Sequence, residues 1–351
     1  MSHPLIQLAG ERAVRQATGF RLAAAELDGE KLAAAYATEK TNAPRLPESG
    51  KKYFVTRSGK PASERKRNKD EEHVGQALIR YCENRGQGLP FPDDDWVLTP
   101  LDYQVRVKAG PLDEPATKGI GRIDLLGITS EERLAVIKMR VLEPNATRCG
   151  VGDTPLRALL EGLTYAAIAE ANQDALRSEI AERFGRTISD EPPLLCLLAS
   201  QSYWRLCRKR EAQKGAAWIK EMERLAELIG EEVGPTIRYL GLEMTGDPGW
   251  AYAEDGPYID GEARLRISWE PGAGRVKPKP KPRPRPSAPV EEIVEADLSR
   301  PVRPYALTES FSSGDRIDHP KLGMGVVQGI AGPGKIKVRF DEKQSILVHE
   351  R

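Results

Sequence analysis

Asp124, Lys138 and Arg140 are the residues whose types and spacing could do chemistry. Asp124 lies in the stretch Gly121 to Ile128. A polar turn follows, then the run Leu134 to Val141, which carries Lys138 and Arg140 among aliphatic residues. Both stretches read as strands. Residues i and i+2 of a strand face the same way, so Lys138 and Arg140 share a face. Two cations among buried aliphatic neighbours are costly without partners, and the strand register can bring Asp124 to them. Such a cluster has two readings. It is either a structural salt bridge, or a clamp in which Asp124 orients Lys138 and Arg140 onto a phosphate without metal.

The elements that must position these residues are legible around them. Asp70 to Glu83 has Val74, Ala77, Leu78 and Tyr81 at helical spacing, with Glu71 at the start of that face and Gly86 and Gly88 ending it. Trp96 to Val107 alternates like a strand. A long helix is predicted from Pro155 to Phe184 and carries Glu161. Leu194 to Ala199 is a continuous apolar run, as in a buried central strand. A helix over 211–230 and strands at Thr236 to Met244 and Ala263 to Trp269 complete the pattern. Residues 1–45 read as one or two helices with no site. The order helix, strands, helix, buried strand, helix argues for an α/β fold with a mixed sheet flanked by helices.

Residues 70–245 resemble the PD-(D/E)XK nuclease family, which includes restriction endonucleases and repair and phage-defence nucleases. The resemblance implies a restriction-endonuclease-like core in which an Asp and a Glu hold magnesium beside the scissile phosphate, and a Lys two residues after the Glu assists. Asp124 stands at the family's Asp, Lys138 at its Glu, Arg140 at its Lys, and Glu71 at the Glu of the leading helix. Two of the three motif positions are altered. Magnesium needs anionic oxygen ligands, and an ammonium at position 138 repels it. Arg140 cannot shuttle a proton at neutral pH. Glu161, and more weakly Glu143, are candidates for a migrated carboxylate; with Asp124, Glu161 would then be a metal ligand and magnesium the cofactor.

The C-terminal part has its own character. Lys277 to Pro286 alternates Pro with Lys or Arg, which suits an extended polyproline spacer. From residue 305, short strands punctuated by glycines indicate a small all-β module. Phe311 to Val327 resembles the small Tudor-like barrel of CarD-type regulators and UvrD-type helicases. That implies docking on a protein partner, such as RNA polymerase or a repair or defence component, or a nucleic-acid contact. Within 335–340, Lys335, Lys337 and Arg339 alternate with Ile336, Val338 and Phe340 and line the face opposite the core, either as an ordinary solvated strand face or as a basic docking stripe for nucleic acid. Gly329 to Ile336 has the spacing of a phosphate-binding loop, but Ile336 replaces the Ser/Thr and a strand follows, so it reads as a hairpin. The expected organisation is a helical and basic segment over 1–69, a nuclease-like domain over 70–270, a linker over 271–304 and a barrel over 305–351.

Composition narrows the setting. The 351 residues hold 53 Lys and Arg against 52 Asp and Glu, a net charge of +1, so any preference for nucleic acid must be regional. Residues 51–69 are one such region, with Lys66, Arg67 and Lys69 as candidate phosphate contacts. The four cysteines form no C-x-x-C pair. With no membrane-length apolar run either, a reducing cytoplasm and no membrane partner are expected. The favoured expectation is a DNA-binding protein of genome defence or repair, impaired in metal-dependent cleavage. The alternatives are an active magnesium-dependent endonuclease and a non-enzymatic adaptor acting through the barrel.

Overall fold

A computed structural model describes residues 3–54, 64, 70–110, 117–212, 217–246, 249–269, 293–341 and 343–350. The chain forms two compact units, Met1–Lys277 and Pro278–Arg351. Among the described residues, no helix is long and apolar enough to cross a membrane.

The first unit opens with four short helices, α1 (Pro4–Gly10), α2 (Arg12–Arg15), α3 (Phe20–Glu26) and α4 (Gly29–Thr41), where one or two were expected. Extended backbone at Glu11, Gln16 and Leu27 interrupts them, and Asp28 caps α4 by accepting from Lys31 N–H. These helices are not a separate segment. Leu5, Ala9, Phe20, Leu32 and Tyr36 are buried in the same core as the rest of the unit.

The body of the unit is built from α5 (Asp70–Arg85), β1 (Leu89–Pro90), β2 (Val97–Arg106), β3 (Arg122–Thr129), β4 (Leu134–Arg140), α6 (Pro155–Ala171), α7 (Gln173–Phe184), β5 (Leu194–Ser200), α8 (Gln201–Ala212), α9 (Ala217–Glu232), β6 (Thr236–Met244), β7 (Trp250–Ala253), β8 (Gly256–Ile259) and β9 (Ala263–Ile267). The sheet order is β1-β2-β3-β4-β5-β6-β9. β4, β5 and β6 run parallel and the other neighbours antiparallel, so the sheet is mixed. β5 is buried at every residue, as its unbroken apolar run requires. One sheet face, with Leu126, Val136, Leu195 and Leu197, packs on α6 and α9. The other, with Leu125, Ile137, Cys196 and Leu240, packs on α5 and Trp250.

Three local readings change. The single helix over 155–184 is broken at Asn172, whose buried amide donates to Ile168 O and to Pro44 O, tying the break to the segment after α4. The helix expected over 211–230 is displaced to α9, and α8 precedes it, starting directly from β5 without a turn residue to announce it. The β7–β8 hairpin was not anticipated.

Gly162 sets the closeness of α6 to the sheet: a Cβ there would meet Leu195 Cδ1 at 2.8 Å. Gly162→Val is therefore expected to cost about 1–3 kcal/mol by overpacking. Gly230→Ala on α9, where a Cβ meets nothing within 4 Å, is expected to add about 0.5–1 kcal/mol through helix propensity. Urea denaturation of the two variants beside wild type checks both; an unchanged midpoint for Gly162→Val would show that Leu195 yields freely.

In the second unit, β10 (Arg303–Pro304), β11 (Arg316–His319), β12 (Gly323–Gly332), β13 (Lys335–Phe340) and β14 (Lys343–Val348) form a small five-stranded sheet in that order. It is nearly barrel-shaped, around Phe311, Ile317, Val327, Ile336, Val338 and Phe340. Gly332 pairs with Lys335 across a two-residue turn, so the loop-like glycine run is a hairpin. The unit starts earlier than residue 305. Val294 exchanges two hydrogen bonds with the Gln328 side chain, and Arg300 pairs with Asp315 at 2.8 Å. Residues 293–304, expected as linker, thus pack on the sheet.

Candidate functional site

The β3–β4 ladder ends at Leu125 opposite Ile137. One residue further towards the site the strands part, and the Asp124 carboxylate takes over the ladder's role: Met139 N–H donates to Asp124 Oδ2 at 2.9 Å. Asp124, Lys138 and Arg140 have the parity of Leu126 and Val136, so all three face α6. Helix α6 starts at Thr154, whose hydroxyl accepts from Arg157 N–H, with Pro155 in the first turn. Its residues Arg157, Glu161 and Tyr165, four apart, form one stripe over those strand residues.

The result is a connected ion network. Lys138 Nζ lies 3.0 Å from Asp124 Oδ2 and 3.4 Å from Glu161 Oε2. Glu161 also accepts from Arg140 at 2.9 Å and from Arg157 at 2.8 Å, and Arg140 reaches Asp153 at 3.4 Å. The Tyr165 ring lies 5.6 Å from the Lys138 ammonium, and Tyr165 OH accepts from Gly121 N–H. Burial pushes the Glu161 carboxyl up, but Lys138, Arg140 and Arg157 together bring it down to about 2. Burial also works against the Lys138 ammonium, and Asp124 leads the charges that hold its pKa above the usual value.

Glu71, at the first turn of α5, joins the same cleft from the end of the sheet, where its Oε1 accepts from Val141 N–H at 3.3 Å. Burial holds its pKa above the usual carboxylate value, outweighing Val141 N–H and Arg140. Gln104 lines the cleft at φ 49°, a left-handed backbone unusual for a residue other than glycine, at the β2 position opposite Asp124.

The cleft is open and measures about 350 Å³. Glu71, Glu72, Asp124, Asp153 and Glu161 line it against Lys138, Arg140 and Arg157. Five carboxylates against three cations make it acidic, where the phosphate-clamp reading asks for a positive lining. Lys138 and Arg140 are engaged by carboxylates rather than presented to a phosphate.

The expected magnesium ligands do not fit a divalent cation. Asp124 and Glu161 both turn an oxygen to the Lys138 ammonium, and Glu161 is held by two guanidinium groups as well. A hard cation needs such oxygens for itself. Among the described residues, no three His, Cys, Asp or Glu side chains converge as a metal site. The other migrated-carboxylate candidate, Glu143, lines a different cleft at the ends of β4, β5 and β6, with Asp70, Arg205 and Arg208.

Sequence reasoning missed Arg157, Asp153 and Gln104. Arg157 was signalled by its place four residues before Glu161 on one helix face. Gln104 carried no signal, because nothing in its residue type announces a left-handed backbone inside a strand. Lys66, Arg67 and Lys69 lie outside the described residues, as do residues 271–292 of the basic linker. Lys335, Lys337 and Arg339 line the outer face of β13 in the second unit, where Glu295 lies 3.9 Å from Arg339.

Compared with known proteins, the chain matches no family model, no curated protein and no solved structure.

Proposed function

We propose that the protein binds DNA in genome defence or repair and carries a nuclease-like core that does not cleave. The observation that supports this reading is the Lys138 ammonium between Asp124 and Glu161. The frame that resembles a PD-(D/E)XK centre is kept: an acid on β3, charged residues spaced by two on β4, and a Glu on the leading helix. The cation between the carboxylates is the protein's own, so the cluster is neutralised without metal. The acidic balance of the cleft gives phosphates no net attraction there. In this reading the cations of 51–69 and 277–285 supply the backbone contacts instead.

Incubation of the full chain with supercoiled and linear duplex, with magnesium, manganese or EDTA, tests the proposal. The expected result is retarded but intact DNA, with the same affinity in EDTA and in an Asp124→Asn variant. Cleavage that EDTA and Asp124→Ala both abolish would overturn it in favour of an active metal-dependent endonuclease. Absence of any DNA binding would overturn it in favour of an adaptor whose second unit docks on a protein partner.

A further inference from the structure

Cys207 lies four residues after Tyr203 on α8, and its Sγ stands 3.9 Å from that of Cys149. Cys149 belongs to the segment that joins β4 to α6, 58 residues away in sequence. We propose that this pair is an oxidation site, which a hydrogen or organic peroxide converts to a disulfide tying that segment to α8. One thiol, as thiolate, attacks the peroxide oxygen and becomes a sulfenic acid, releasing water or an alcohol. The second thiol then attacks the sulfenic sulfur, the S–S bond forms, and water leaves. The two thiols supply the two electrons that reduce the peroxide.

The surroundings favour this bond and no other. A disulfide needs the sulfurs to close by about 2 Å from their present separation. The segment is already moored along the start of α8: Leu142 N–H donates to Ser200 Oγ, Ser202 Oγ donates to Leu142 O, and Arg205 donates to Pro144 O. Little freedom is therefore left to lose. Cys82 and Cys196, buried like Cys149 and Cys207, lack that proximity. Burial pushes their thiols up to about 11 and about 12, and among the described residues neither has another sulfur in contact.

The bond has a consequence at the cleft. Beyond Cys149, the same segment delivers Asp153 to Arg140 and the Gly152 carbonyl to Arg157. A covalent tie at Cys149 holds these two partners against the network. The Tyr203 hydroxyl, buried and with no hydrogen-bond partner among the described residues, lies within electrostatic reach of Cys207, Arg140, Cys149 and Asp153, so the pair and the network share one neighbourhood.

The test uses the reduced full chain exposed to hydrogen peroxide, then digested without reductant for mass spectrometry. The expected product joins the peptides carrying Cys149 and Cys207, with loss of two hydrogens, and dithiothreitol separates them. Cys82 and Cys196 remain thiols. The oxidised chain melts about 5–10 °C higher, because the closed loop constrains the unfolded state, and Cys207→Ser lacks the shift. Recovery of Cys149 and Cys207 as thiols or as separate sulfinic acids, or their linkage to other cysteines or other molecules, would overturn the proposal. The wild-type mapping decides even if the variant fails to fold.

Discussion

A Glu161→Gln variant is expected to lose about 3 kcal/mol at pH 7, the lower end of the range for breaking a buried ion pair by removing one partner. Glu161 is 13% exposed and faces three cations. The amide keeps its shape and removes its charge. The loss stays at the lower end because Lys138 keeps Asp124 and Arg140 keeps Asp153. The pH dependence carries the sharper signature. The Glu161 carboxyl sits near 2 in the folded chain against an ordinary value of 4.5. Its contribution is therefore complete above about 4.5 and is lost as pH falls through about 2. Glu71 acts in the opposite sense: its raised pKa favours the protonated form, so its ionisation costs stability as pH rises. Urea denaturation of wild type and variant at pH 7 and pH 3 should show a gap that narrows in acid. Equal midpoints at pH 7 would mean that Arg140 and Arg157 do not depend on this carboxylate.

The salt dependence of DNA binding should change most when the linker cations are removed. Lys277, Lys279, Lys281, Arg283 and Arg285 alternate with proline, and each phosphate they neutralise releases counterions. Replacing all five with Ser is expected to flatten the slope of log affinity against log salt by up to about 0.9 per lost duplex contact. Five lost contacts would remove on the order of a few hundred-fold of the affinity change between 50 and 200 mM salt. Fluorescence anisotropy with a labelled duplex across that range reads the slope directly. A variant slope equal to wild type would place the phosphate contacts elsewhere, with Lys66, Arg67 and Lys69 the next to replace.

Several features were legible because they follow from local periodicity. The parity of Lys138 and Arg140 put them on one face, since alternation is a property of any strand. The apolar run at Leu194 announced a strand covered on both sides. The alternation of Lys335, Lys337 and Arg339 with Ile336, Val338 and Phe340 announced the orientation of β13. Glu71 was placed at the start of a buried helix face, and that face leads it to the end of β4.

What tertiary structure alone decided is the pairing of charges. The sequence leaves Lys138 and Arg140 equally able to be a phosphate clamp or a closed salt bridge. The choice depends on how near α6 lies to β3 and β4, and Gly162, packed against Leu195 on that same sheet face, sets how close α6 comes. The breaks at Asn172 and in the N-terminal helices depend likewise on partners remote in sequence, such as Pro44 O and Val14 O. The 3.9 Å approach of Cys149 to Cys207 belongs to the same class. Periodicity reports which face a side chain takes, but an ion pair or a sulfur contact is set by separations of a few ångströms between elements, and these emerge only when the whole core is packed.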